Sequence, residues 1–338
     1  MSLEHLWYGQ KPSLIEKGLS LLLTPLNWLF GVIVKQRIST HNSKPTRKYD
    51  VPVVVVGNIT VGGTGKTPMI QWLCRQLQAE GVSVGIVSRG YGGKSTQYPL
   101  SVTPLISPRE SGDEPALLAR SLNCPVVVGP DRDKAVRFLI QQFEVDLILS
   151  DDGLQHYKMH RDVEIVMLDA GRGIGNGRLL PLGPLREPLS RLHSVDFVFA
   201  KQAPFQPVHD SLSQLNKIVY LPQINAELMA KTHAEPLIQG QTVHAFVGIA
   251  NPEPFFTALE KQGFTLERHV FGDHYDFDES DFNGLTNYPI IMTDKDWVKC
   301  ESLVQNCHSV WVLPVSYDVP DDICTDIIKK LKSLINPH

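Results

Sequence analysis

The chain has 338 residues, 42% of them apolar, and its 32 Lys and Arg stand against 36 Asp and Glu for a formal net charge of −4. That length and apolar content suffice for roughly two packed domains, and the near balance of charge excludes a protein held to nucleic acid by bulk electrostatics. The five cysteines, Cys74, Cys124, Cys300, Cys307 and Cys324, are odd in number and lack C-x-x-C spacing, which excludes a disulfide framework and a cysteine-built zinc site and fits a reducing cytoplasm.

The first element is a basic, apolar segment. No acidic residue lies between Glu16 and Asp50, whereas Lys17, Lys35, Arg37, Lys44, Arg47 and Lys48 are all basic, a pattern drawn to anionic lipid. Within it, Gly18 to Val34 carries no charge. As one helix it rises roughly 26 Å at about 1.5 Å per residue, short of the roughly 30 Å hydrocarbon core, and Pro25 and Asn27 are expected to interrupt it. An interfacial or half-inserted helix is therefore expected, with a buried core helix as the alternative. Glu4, His5 and the lack of a small-residue cleavage site do not suit a secretory signal.

Next, the apolar run Val51–Gly57 reads as a buried parallel strand, and Gly62-Gly63-Thr64-Gly65-Lys66-Thr67-Pro68 follows it and leads into a helical pattern. Glycines there let backbone N–H groups turn around an anion at a helix N-terminus, with Lys66 reaching β/γ-phosphates and the Thr67 hydroxyl holding Mg²⁺. The usual first glycine of such a loop falls on Thr60. Strands are expected at 84–88, 125–129, 146–150, 163–169 and 195–200, and helices at 66–80, 114–121 and 131–143. This alternation predicts a doubly wound, mostly parallel α/β sheet of the P-loop NTPase kind, with ligands outside the carboxyl ends of its strands.

Asp151-Asp152 ends an apolar strand, the arrangement that places a carboxylate beside Mg²⁺ in phosphate-loop enzymes, and either acid suits that role. Gly112-Asp113-Glu114-Pro115 puts two more acids at a helix start, where an N-cap worth about 1 kcal/mol and a functional pair read alike. Arg89, Arg132, Arg172, Arg178, Arg186 and Arg191 fall near strand ends or in the Gly/Pro-rich loop from Gly171 to Pro188, positions suited to gripping phosphates. Gly171-Arg172-Gly173-Ile174-Gly175 has the wrong glycine spacing for a dinucleotide site. After Pro222 a smaller α/β series is expected, with strands at 242–248, 266–271, 289–293 and 309–314 and helices at 252–262 and 322–334. His274 follows its second strand, where an ordinary loop residue and a proton carrier look the same. The expected division is 1–40, a membrane-associating segment; 41–220, a nucleotide domain; and 221–338, the smaller α/β domain.

Taken together, eight blocks in order resemble the tetraacyldisaccharide 4′-kinase family: Val56-Gly57-Asn58 with Gly62–Pro68, Ser88–Gly93, Gly112–Pro115, Gly129–Arg132, Asp151–His156, Gly183–Pro188, Asp273-His274-Tyr275, and Thr293–Asp296. The resemblance implies ATP- and Mg²⁺-dependent phosphorylation of a lipid A disaccharide precursor at its 4′-hydroxyl, at the cytoplasmic face of the inner membrane of Gram-negative bacteria. It implies Lys66 and Thr67 on ATP and Mg²⁺, Asp152 and Glu114 on the metal side, and Asp113 as base partnered by His274. His156, Arg132, Arg186 and Glu187 would line the acceptor or phosphate region. Two rivals remain: a regulatory or metal-insertion NTPase, which requires a lysine where Val61 stands, and a non-enzymatic, nucleotide-gated membrane-recruitment module.

Overall fold

The computed structural model describes residues 3–9, 13–43, 46–169, 173–200, 218–220, 223–225, 227–231, 236–285, 287–305, 307 and 309–335. Gly171 and Arg172 of the Gly/Pro-rich loop therefore lie outside the described residues. Helix α1 (Leu3–Tyr8) precedes α2 (Leu14–Ser43), which runs without a break through Pro25. The expected interruption does not occur: a proline removes one backbone donor, and the long leucine-rich flanks keep the remaining ladder in place. At about 1.5 Å per residue α2 is roughly 45 Å long. Its stretch Lys17–Thr40 is long and apolar enough to cross a membrane, and only 6% of that apolar window is buried, which overturns the core-helix alternative.

The first sheet is built from β1 (Val53–Gly57), α3 (Lys66–Ala79), β2 (Val84–Ser88), β3 (Leu100–Val102), α4 (Pro108–Ser111), α5 (Asp113–Ser121), β4 (Val126–Val128), α6 (Arg132–Gln142), β5 (Leu147–Asp151), β6 (Val163–Leu168), β7 (Phe197–Ala200) and β8 (Ile218–Tyr220). Its strand order is β3-β4-β2-β5-β1-β6-β7-β8, parallel throughout except for β3 against β4. The valine runs are continuous because both faces are covered. Val54 and Val56 pack with Met69 and Leu73 of α3, whereas Val53 and Val55 pack with the layer that holds Ala135 and Leu139 of α6. Each fully buried side chain of this size contributes about 1.5–3 kcal/mol.

The second sheet follows β9 (Gln223–Asn225) and comprises β10 (Met229–Ala230), β11 (Thr242–Val247), β12 (Thr265–Val270), β13 (Ile290–Thr293) and β14 (Val310–Leu313), in the order β10-β14-β13-β11-β12. Helices α7 (Glu253–Lys261) and α8 (Asp294–Cys300) connect its strands, and β15 (Ser316–Asp318) pairs with β9. The last helix, α9 (Asp321–Ile335), departs from the expected division. It returns to the first sheet, with Ile327, Ile328 and Leu331 in the core that contains α3. Lys330–Asp196 at 2.6 Å and Lys332–Glu80 at 2.8 Å fasten its exposed edge.

Candidate active site

At the carboxyl end of β1 the chain turns through residues 58–65 into α3. Gly65, immediately before the helix, has φ +86°, a left-handed conformation that glycine adopts without Cβ strain. No side chain caps the helix there. The first-turn N–H groups and the positive end of the helix dipole thus face the loop, as an anion site requires. Asn58 Oδ1 and Thr64 Oγ1 are buried in the same loop with no hydrogen-bond partner.

The register pairs Val56 with Asp151, so β5 brings its terminal carboxylate beside the end of β1. Ser88, at the end of β2, donates its hydroxyl hydrogen to Asp151 Oδ2 at 3.0 Å, while Oδ1 is buried and unpartnered. Burial, and then the neighbouring Glu114 carboxylate, push the Asp151 carboxyl up to about 7. Asp152 is one of two non-glycine residues among those described that adopt positive φ, here +47°. Lys66 Nζ lies 3.6 Å from its carboxylate and Arg186 Nη1 3.2 Å. Burial works against its charge, but those cations outweigh burial and hold the carboxyl below the usual range. Two adjacent acids are therefore driven in opposite directions by their surroundings.

The other positive-φ residue is His274, at +57° in the turn after β12. Its Nδ1 lies 2.9 Å from Asp113 Oδ2 at the start of α5, and this hydrogen bond raises the imidazole above its usual value. Gly112, with φ +91°, sets up that start; a Cβ there would meet the Tyr91 carbonyl at 2.5 Å. The next residue, Glu114, is ion-paired with Lys295 of α8. Burial favours its neutral form, but Lys295 and then Lys66 prevail and keep the carboxyl low. Lys299, one helical turn beyond Lys295, bonds the buried Asp296 at 2.9 Å and stands 4.0 Å from Asp113.

Two cavities meet at α5. One, of about 700 Å³, is lined by Asp113, His274, Lys299 and Arg109. The other, of about 320 Å³, holds Glu114, Asp151, Asp152, Arg89 and Arg186. The N-terminal helix supplies another part of its wall, through Phe30, Ile33, Val34 and Arg37. Asn27 Nδ2, donating to the Leu179 carbonyl at 2.5 Å, and Trp7 Nε1, donating to that of Pro181 at 2.9 Å, dock this N-terminal region on the Gly/Pro-rich loop.

A family model for tetraacyldisaccharide-1-P 4′-kinase matches residues 19–332. The chain belongs to this family. The tetraacyldisaccharide 4′-kinase of Haemophilus influenzae is 44% identical over 302 residues, 88% of either chain. That of Aeromonas hydrophila is 40% identical over 336 residues, 97% of this chain and 96% of its own. Among solved structures, the family's enzyme LpxK from Aquifex aeolicus, in complex with ATP, superposes with a TM-score of 0.73 at 28% identity, covering 94% of this chain and 99% of that one. The doubly wound fold, the family and its kinase class are thereby borne out.

Within this family frame, Lys66, Asp152 and Arg186 come together as one charged cluster, as do Asp113 with His274 and Glu114 with Lys295. Arg132 and His156 do not join the cavity lining. Arg132 is 2% exposed and donates to the Gly129 and Asp151 carbonyls at 2.9 and 3.1 Å, so it braces the strand ends from behind. His156 is lowered to about 4 by burial and then by Arg132, which keeps it neutral. Glu187 borders the smaller cavity but is 1% exposed and paired with Arg191 at 3.0 Å. Lys295 and Lys299 received no role from the sequence. Their i, i+4 spacing after a helix-capping threonine is the signal that places both on one face.

Proposed function

We propose that this kinase transfers the γ-phosphate of ATP to the 4′-hydroxyl of a tetraacyldisaccharide 1-phosphate at the cytoplasmic face of the inner membrane. The observation that carries the reading is the shared cavity: acids and arginines form one wall, and the exposed apolar helix α2 forms another. A substrate with a sugar phosphate head and several acyl chains has both halves. Residues 62–68 form the phosphate loop, with Lys66 on β/γ-phosphate oxygens. The unpartnered, buried Asp151 Oδ1 suits a hard cation: Asp151, Asp152, Glu114 and the Thr67 hydroxyl would hold Mg²⁺, which would neutralise charge on the phosphate oxygens. Lys66 and Arg186 already converge on Asp152, so the site stores positive charge where phosphates need it.

Asp113 takes the proton of the acceptor hydroxyl, and His274, bonded through Nδ1, orients that carboxylate. Since phosphoryl transfer is mostly positioning and charge stabilisation, the Glu114–Lys295 pair contributes by fixing α5 against the second sheet. Residues 41–220, joined by α9, are proposed as one body of the cleft, and the second sheet with α7 and α8, from the 221–338 segment, as the other. His274 and Asp113 already meet across the cleft at 2.9 Å, and closure over bound substrate excludes water around that pair. Helix α2 lies along the membrane surface: Asn27 ties it to the body, while Leu14, Ile15, Leu21, Leu22 and Trp28 are each at least 71% exposed. Lys17, Lys35 and Arg37 meet anionic head groups.

The test is transfer of labelled γ-phosphate from ATP, with Mg²⁺, to detergent-dispersed tetraacyldisaccharide 1-phosphate. Labelled bis-phosphorylated lipid made by the wild type and not by Lys66→Ala is the expected result. Steady phosphate release without labelled lipid would restore the NTPase rival.

A further inference from the structure

The second sheet carries a cluster that the phosphoryl-transfer chemistry does not use. In the parallel pair β11 and β12, His244 stands opposite Glu267 and Phe246 opposite His269, so His244, Glu267 and His269 share one face. His244 Nδ1 lies 3.1 Å from Glu267 Oε2 and 3.1 Å from His269 Nε2. All three ligand atoms fall within 4.8 Å of one another. Nδ1 carries at most one proton, so a hydrogen bond to one neighbour leaves it without a second proton for the other.

Two imidazoles and one carboxylate are a donor set that zinc takes with a fourth position left to water. With bonds of about 2.0–2.1 Å, tetrahedral ligand atoms stand about 3.3 Å apart, close to the two 3.1 Å separations at His244 Nδ1. The rings are held in place: His269 stacks on Phe246 with centroids 4.4 Å apart and planes 16° apart, and His244 packs against Tyr288 at 5.5 Å. His244 is 5% exposed whereas the Glu267 side chain is 50% exposed, so the cluster is walled on one side and open to solvent on the other. Imidazole nitrogens select a transition metal over Mg²⁺ or Ca²⁺, which prefer all-oxygen shells.

We propose that His244, Glu267 and His269 form a binding site for one divalent transition-metal ion of the zinc class, which clips edge strand β12 to β11. Residues 271–273 connect β12 directly to His274, so the ion stiffens the strand that delivers that histidine to the cleft.

The test uses the full chain in excess Mg²⁺, which occupies hard oxygen sites, with equilibrium dialysis against Zn²⁺ and visible absorption after Co²⁺ addition. One Zn²⁺ per chain and the bands of tetrahedral Co²⁺ with nitrogen and oxygen ligands are expected. Zn²⁺ affinity should fall at least about 10-fold in both His269→Gln and Glu267→Gln, with unchanged circular dichroism. The exposed Glu267 guards against a loss caused only by misfolding. Absence of stoichiometric Zn²⁺ binding would overturn the proposal, as would affinity unchanged in both variants. So would a thiolate-to-cobalt charge-transfer band that persists in Glu267→Gln, because it would assign the metal to cysteine.

Discussion

Asp151→Asn is the substitution whose effect can be worked through from the site. Burial, Glu114 and Asp152 disfavour the Asp151 charge, Lys66 and Arg132 favour it, and the balance moves the carboxyl from 3.8 to about 7. Between those values the folded protein holds a proton that the unfolded chain has released, so wild-type stability falls as pH rises through this window. Asparagine keeps an acceptor for Ser88 but has no carboxyl proton to lose. From pH 5.5 to about 7 the metal-free variant should therefore gain on the wild type by about 1.5 pH units at about 1.4 kcal/mol each, roughly 2 kcal/mol, and then level off. The assay is urea unfolding followed by far-UV circular dichroism in EDTA at pH 5.5, 7 and 8.5, comparing variant with wild type at each pH so that shared titrations cancel. Mg²⁺ should restore the wild type at pH 8.5 and leave the variant unchanged. A difference between the two proteins that stays constant from pH 5.5 to 8.5 would refute the assignment of a raised carboxyl to Asp151.

The remaining predictions concern the cleft and the membrane. Asp113→Ala and His274→Ala should each lower kcat by about 10²–10⁴-fold, and the double variant should lose little more, because the two act as one unit; fully additive losses in single-turnover kinetics would separate them. Deleting residues 1–40 should move the protein from anionic vesicles into the supernatant on sedimentation, and for the full chain added salt should weaken binding without abolishing it. Sedimentation unchanged by the deletion would remove α2 as the anchor.

What could be read from the chain and what could not divide along physical lines. Strands buried on both faces announce themselves as unbroken valine runs, and the glycine loop is recognisable because its residues must be adjacent to wrap an anion. Pro25 misled because proline's cost is local, whereas a thirty-residue helix has many other bonds to set against it. The short edge strands β3 and β10 carry too few residues for a period, and α8 hides its helical start in a run of charges. Arg132 looks like a surface arginine until the fold surrounds it with carbonyls. Two of the contacts that join the halves of the molecule, Asp113 with His274 and Glu114 with Lys295, span 161 and 181 residues. Hydrophobic period records which face is buried and says nothing of which distant residue meets it, so the eight family blocks supplied partners that periodicity alone left open. The left-handed backbone of Asp152 and His274 lay beyond both readings: Asp and His tolerate positive φ better than most residues, but their type alone does not say which of many such residues adopts it. That the only two such residues among those described both stand in this cleft ties the strain to the site: each turn aims a polar group into a charged cluster that an ordinary loop conformation would leave incomplete.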